Sequence, residues 1–119
     1  RDAMQDESGQ YMKTQYIKDG IKSSQALLVV GTDANGLEHP NWRENLKYAL
    51  RIQQKMNEKY PGLARPLHLR KERFNGHACP GEMIIEVGSN GNTAEESRIA
   101  AKYIADCIAD VISEIPENR

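Results

Sequence analysis

Five consecutive apolar residues, Ala26, Leu27, Leu28, Val29 and Val30, closed by Gly31, constrain this chain more than any other feature. The run is too short for a helix, β-branched at its end and apolar on both faces. It therefore reads as a strand in the middle of a sheet. Such a strand needs a covering layer, and two long amphipathic patterns supply one. Trp42, Leu46, Ala49, Leu50, Gln53, Met56 and Tyr60 recur at helical spacing until Pro61-Gly62. Ile99, Ala100, Tyr103, Ile104, Cys107, Ile108, Val111, Ile112 and Ile115 form a second, broader stripe that stops before Pro116. Asn41 with Glu44, and Thr93 with Glu96, have the spacing of capping boxes. A second buried strand runs from Met83 to Val87 and ends at Gly88, and Leu67 to Leu69 form a short extended piece. Asp19-Gly20, between β-formers Tyr11 to Ile17 and Ile21, marks a hairpin, whereas polar residues 1–10 carry no regular pattern. Strands alternating with amphipathic helices imply an α/β fold with a mostly parallel sheet flanked by helices and joined by right-handed crossovers.

With 119 residues the chain makes one domain at most, and it can bury roughly two-thirds of the surface its unfolded form exposes. Sixteen Lys+Arg against 17 Asp+Glu, spread along the chain, leave no basic excess to neutralise a run of phosphates. Nucleic acid is not the expected partner. No apolar run approaches the ~18 residues of a membrane span. The opening Arg1-Asp2-Ala3 carries neither an initiator Met nor a signal-peptide pattern, and reads as the start of a piece of something longer. Cys79 and Cys107 are too far apart for a CxxC pair, and they leave the redox compartment open.

The residue with most chemical content is Glu86, an acid inside the otherwise apolar strand Met83, Ile84, Ile85, Val87. A carboxylate there loses hydration and must find a partner, take up a proton or face a cavity. It lies near the C-terminal end of its strand, the edge where open α/β sheets carry ligands. A catalytic role and a solvent-facing or salt-bridged role both fit. Asn75, His77 and Cys79 sit in the loop before this strand; Ser89, Asn90, Gly91 and Asn92 sit in the turn after it. Five residues of extended strand hold the two loops roughly 16 Å apart, which favours the turn after the strand as the neighbour of Glu86. His77 fits a backbone-bonded loop imidazole as well as a functional one. A Cys–His hydrolase is disfavoured because residues two apart on one segment rarely present thiolate and imidazole correctly. The spacings of nucleobase deaminases, of GxxxxGK[ST] and GxGxxG phosphate loops and of HExxH zinc sites are all missing. Cys107 reads as a small buried hydrophobe, and His39 and His68 as a cap-region and a strand residue.

Five blocks, Leu28 to Gly31, His39 to Leu46, Tyr60 to Pro66, Arg73 to His77 and Ile85 to Asn90, resemble in order and spacing the stage II sporulation protein P family. These are N-acetylmuramoyl-L-alanine amidases of endospore formers, related to the zinc amidase_3 class. The resemblance implies that residues 1–119 are the C-terminal portion of one zinc amidase domain. The family holds zinc with two histidines and a glutamate, the last histidine lying in a His-Arg-Asp motif that Arg1-Asp2 continues. All metal ligands are accordingly expected upstream of Arg1, and none in this chain. The family's catalytic glutamate falls on Glu86, whose implied task is to move the proton of the attacking water to the leaving amine. Asn75 and His77 match a block expected to contact substrate or to support the site. Phe74, Gly76 and Cys79 depart there from the family's usual Tyr, Gln and Ser.

The resemblance further implies an extracytoplasmic enzyme, anchored in the membrane through an upstream segment, acting on peptidoglycan around the forespore during engulfment with SpoIID and SpoIIM homologues. Taken alone, residues 1–119 are expected to be inactive, and to expose the flank of the sheet formed by Leu27 to Val30 or a neighbour, or an apolar helix patch. The alternative reading is a non-catalytic peptidoglycan-binding or protein-interaction module that keeps the amidase fold.

Overall fold

In the computed structural model, which describes residues 1–117, the chain is an α/β domain with a three-stranded sheet, a two-stranded hairpin and two long helices. The hairpin comes first: β1 (Tyr16–Lys18) and β2 (Ile21–Ser23) are joined by Asp19 and Gly20, both at positive φ, as a tight hairpin turn requires. The apolar run forms β3 (Ala26–Gly31), every residue of it buried, and it occupies the centre of the sheet order β4-β3-β5. Helix α1 (Trp42–Lys59) crosses to β4 (His68–Arg70), which lies parallel to β3. Strand β5 (Ile84–Val87) takes the other flank and leads into α2 (Ala94–Ser113).

Alternation along β3 divides the sheet into two faces. Ala26, Leu28 and Val30 join one core with Ala49, Ile52 and Met56 of α1 and Ala100, Ile104, Cys107 and Val111 of α2, so both helices cover the same face. Leu27 and Val29 point to the other. On β5 it is Ile85 and Val87 that pack against this core, which turns Ile84 and Glu86 to the face without helices. The hairpin extends the core beyond the sheet: Tyr16 meets Tyr103 edge-on at 6.0 Å, and Tyr60 stacks on Tyr103 at 4.7 Å.

Three expectations change in detail. The sheet is mixed, since β5 runs antiparallel to β3, with Glu86 opposite Leu27 and Ile84 opposite Val29. The cause lies between β4 and β5, where no helix returns the chain to the starting edge. Residues 71–83 instead pass over the C-terminal end of β3, and β5 begins from that same end and runs back. Gly31 makes the passage possible, because a Cβ there would lie 2.4 Å from the carbonyl oxygen of Glu72. Of the two flanks expected, Leu27 to Val30 is interior and its neighbours β4 and β5 form the sheet edges, β4 exposed and β5 partly buried. Finally, the capping box at Thr93 and Glu96 forms, but Asn41 makes no side-chain cap. Asn41 has φ −102° and ψ 13° instead of the extended backbone that turns a cap side chain toward the first N–H groups.

Candidate functional site

Glu86 owes its position to the turn that ends β5. Gly88 follows at φ 75°, and a Cβ there would come within 2.9 Å of the side chains of Ser24 and Ser97. Only glycine has both the conformation and the room. Beyond it, Asn92 organises the turn into α2. Its Oδ1 accepts from the backbone N–H groups of Thr14 and Ser89 at 3.2 and 2.9 Å and from the Ser89 hydroxyl at 3.1 Å. Its Nδ2 donates to the Thr14 carbonyl at 2.8 Å and to Glu96 at 3.0 Å. Burial pushes the Glu96 carboxyl up, but hydrogen bonds from Thr93 and Asn92 outweigh it and leave the group below its ordinary range.

The first two residues lie along this turn. Asp2 donates its N–H to the Gly88 carbonyl at 3.0 Å and accepts from the Asn90 N–H at 2.9 Å. Arg1 donates from its guanidinium to the Asn92 carbonyl at 3.1 Å. The terminal ammonium, present because the sequence starts at Arg1, lies 2.9 Å from Glu86 Oε2. The Asp2 carboxylate is held in turn by Arg65 at 2.8 Å. The Glu86 side chain keeps 26% of its surface exposed, and its Oε1 has no hydrogen-bond partner among the described residues. Apart from that terminal charge, no described residue bonds either oxygen. A carboxylate so placed can take a proton from a water or donor approaching the helix-free face.

Asn75 and His77 are elsewhere. Their loop crosses the Gly31 end of β3, whereas Glu86 pairs with Leu27, four residues back, roughly 13 Å along the strand. The structure does not bring them to Glu86. It gathers them instead with two residues of the His39–Leu46 block. Asn45, fully buried, donates to the Gly76 carbonyl at 2.9 Å and accepts from the Gly81 N–H at 2.7 Å. His39, 1% exposed, stands edge-on to His77 with ring centroids 6.4 Å apart, and neither of its ring nitrogens has a hydrogen-bond partner. Burial holds the His39 imidazole below its ordinary pKa, with His77 and Arg73 adding to the effect. Phe74 and Asn75 both adopt positive φ, and both side chains are exposed.

Cys79 is an exposed free thiol bonded to Glu82 at 3.4 Å, and that carboxylate pushes the thiol up, away from nucleophilic use. Cys107 is buried in the core, where burial raises it also. Among the described residues no three His, Cys, Asp or Glu side chains gather as a metal site, and no helix is long and apolar enough to cross a membrane. A groove of about 340 Å³ between Ile52, Met83, Ile108 and Ile112 is apolar and lies on the helix side, away from Glu86.

Residue types and spacing along the chain point to Glu86, Asn75 and His77 and to the turn Ser89–Asn92 as the neighbour of Glu86, but not to Asp2, Arg65 or Asn45. Asp2 lies in a polar stretch that is unremarkable locally. Arg65 and Asn45 lay inside the conspicuous blocks Tyr60–Pro66 and His39–Leu46, and that was the available signal.

Fold and site define an α/β domain with a half-buried carboxylate at a strand end, braced by the segment that opens the chain. The family model described as Stage II sporulation protein P (SpoIIP) matches residues 1–109. The chain belongs to that family, which gives it a role in sporulation. No curated protein and no solved structure matches it.

Proposed function

We propose that this chain is the C-terminal part of a zinc-dependent N-acetylmuramoyl-L-alanine amidase that cleaves the lactyl–L-alanine amide of peptidoglycan during engulfment. One observation carries the reading: the acid that interrupts an apolar strand is partly buried yet open to approach, on the face of the sheet that no helix covers. In this reading Glu86 accepts a proton from the water attacking the amide and delivers it to the departing amine of L-alanine, so the same carboxyl serves as base and then as acid. The described residues do not make a zinc site by themselves. The ligands in this reading precede Arg1. When bound, zinc supplies Lewis-acid polarisation of oxygen.

An extracytoplasmic location, an upstream membrane anchor, peptidoglycan as substrate and SpoIID and SpoIIM homologues as partners belong to the same proposal and rest on family membership. Glu86→Gln in the full-length protein tests it. Turnover of muropeptides should fall at least ~100-fold while zinc content and folding stay as in the wild type. Unchanged turnover would instead support the reading of a non-catalytic peptidoglycan-binding or interaction module, as would full cellular function of the Glu86→Gln variant with no detectable hydrolysis by either form. Residues 1–119 alone should show no hydrolysis with or without added zinc; metal-dependent turnover by this polypeptide would refute the upstream placement of the ligands.

A further inference from the structure

Strand β4 (His68–Arg70) ends the sheet order β4-β3-β5, and all of its residues are exposed. Among the described residues no strand pairs with its outer side. Such an edge attracts other strands, and proteins blunt it with brevity and charge. β4 is short and carries Arg70, with Lys71 following, yet its middle residue is an apolar Leu69 with 49% of its surface exposed. Register decides where that side chain goes. Leu69 pairs in parallel with Val30, a member of the core under the helices, so it points to the helix side. His68 and Arg70 pair with Val29 and Gly31 and point to the other. On the helix side Leu69 lines a cavity of about 330 Å³ with Thr32, Ala34 and Trp42, at the C-terminal end of the parallel pair β3 and β4. Arg70 and Lys71 reach this cavity too, against one carboxylate, Asp33. The Arg43 guanidinium lies 4.3 Å over the Trp42 ring. Arg70 has Glu72 at 3.4 Å, whereas Arg43 and Lys71 have no ion-pair partner among the described residues.

A strand added beside β4 continues its alternation. The residue next to Leu69 then points to the helix side, over the cavity, and the residues before and after it lie beside His68 and Arg70 on the other face. Main-chain bonds to the edge supply affinity in such an arrangement, and the pocket for the alternate side chain supplies selectivity. The uncompensated cations select acidic neighbours for that side chain. We propose that β4 is a docking edge for an extended acidic segment of another polypeptide, bound as an added strand with one apolar side chain, flanked by Asp or Glu, in the cavity beside Trp42. A second copy of this chain fits the edge worse. Pairing two copies through β4 would bring two sets of Arg70 and Lys71 onto one ribbon, which like-charge repulsion disfavours. The inference uses neither Glu86 nor a metal, and it stands or falls apart from the proposed hydrolysis.

The test uses the full-length protein and short synthetic peptides of one threonine-rich, β-forming frame, centred on Glu-Leu-Glu, Lys-Leu-Lys or Glu-Ser-Glu. Calorimetric titration should give the Glu-Leu-Glu peptide a Kd below about 1 mM, with each of the others binding at least ~10-fold more weakly. Hydrogen exchange at residues 68–70 should slow when that peptide is added. Leu69→Glu, a change at an exposed position, should weaken its binding at least ~10-fold. Lys71→Glu, just beyond the strand, serves as the second variant should Leu69→Glu perturb the fold, and should weaken binding in the same direction. No binding of the Glu-Leu-Glu peptide at about 1 mM would overturn the proposal. Equal binding of Lys-Leu-Lys would remove the charge selection, and equal binding of Glu-Ser-Glu would remove the apolar anchor; either result overturns it as well. Exchange at residues 68–70 that is already slow without peptide would show the edge to be filled within the full-length protein, and a dimer abolished by Leu69→Glu, with no peptide bound, would give the edge to a second copy. Both of these outcomes also refute a partner segment.

Discussion

The two ends of β5 are built on opposite plans. After the strand, Asn92 uses both ends of its amide to bind Thr14, Ser89 and Glu96, and the opening residues close over the turn through Asp2. Before the strand, a single buried side-chain amide, Asn45, holds the loop at Gly76 and Gly81, two non-glycine residues adopt positive φ, and a buried imidazole has no partner for either nitrogen. One end is over-determined and the other is minimally tied. A carboxylate meant to keep one orientation belongs at the first kind of end, and that is where Glu86 is. A loop that is required to move or to accept a partner belongs at the second, and that is where Asn75, His77 and Cys79 are.

The largest effect should come from breaking the tied end. Asn92→Ala removes the acceptor of two backbone N–H groups and the donor to a third buried group, so about 3 kcal/mol of unfolding free energy should be lost in denaturant titration. The same change should weaken acid sensitivity. The Glu96 carboxyl is held below its ordinary range, so its contribution is present above that range and is lost as pH falls through the folded-state value. Without the Asn92 donor that loss should be smaller. Asn45→Ala, at the loosely tied end, frees one carbonyl and one N–H and should cost about 2 kcal/mol. Equal losses at the two sites would remove the distinction between the ends.

His39 sharpens the comparison by pH. The groups that face it are His77 and Arg73 in the loop before β5 and Asp33 after β3, and burial with the first two disfavours its charged form. An unfolded His39 takes up a proton near pH ~6.5, whereas the folded one does so only at lower pH. Above that range the two states are alike and nothing is gained or lost. Below it, the unfolded state is favoured by up to about 1.4 kcal/mol for each pH unit until the folded-state value is reached. The unfolding midpoint should therefore fall more steeply between pH ~7 and ~5 in the wild type than in His39→Leu. Parallel curves would show that the imidazole has found a partner in solution.

How much of this was legible beforehand follows from what is local and what is not. The apolar run at Ala26–Val30, the two helical stripes, the Asp19-Gly20 turn and the Thr93–Glu96 box each depend on residues close in the chain, and each formed. The direction of β5 depended on which way residues 71–83 cross the end of β3, a tertiary matter that spacing does not carry. Glu86 announced itself as the one acid in an apolar strand. Its surroundings did not, since Asp2 meets Arg65, and Arg1 meets Asn92, only after folding. His39 looked like a cap residue because Pro40-Asn41 follows it, but the loop before β5 folds over it and buries it.

The smallest expected effect tests whether the loosely tied end stores strain. Phe74 sits at φ 52°, where a Cβ crowds the following carbonyl, and its ring is half exposed, with the Arg70 guanidinium 5.9 Å from its centroid. Glycine relieves the backbone at that φ by about 1 kcal/mol and forfeits a weak exposed cation–π contact of about 0.5 kcal/mol. Phe74→Gly should thus leave the protein about 0.5 kcal/mol more stable, read as a slightly higher denaturant midpoint. A gain at this position with unchanged turnover in the full-length protein would mean that the strain is incidental. A gain in stability paired with a loss of turnover would mean that the bent loop is held at a cost because its shape serves the reaction, and the contrast between the two ends of β5 would then be one between two functional parts.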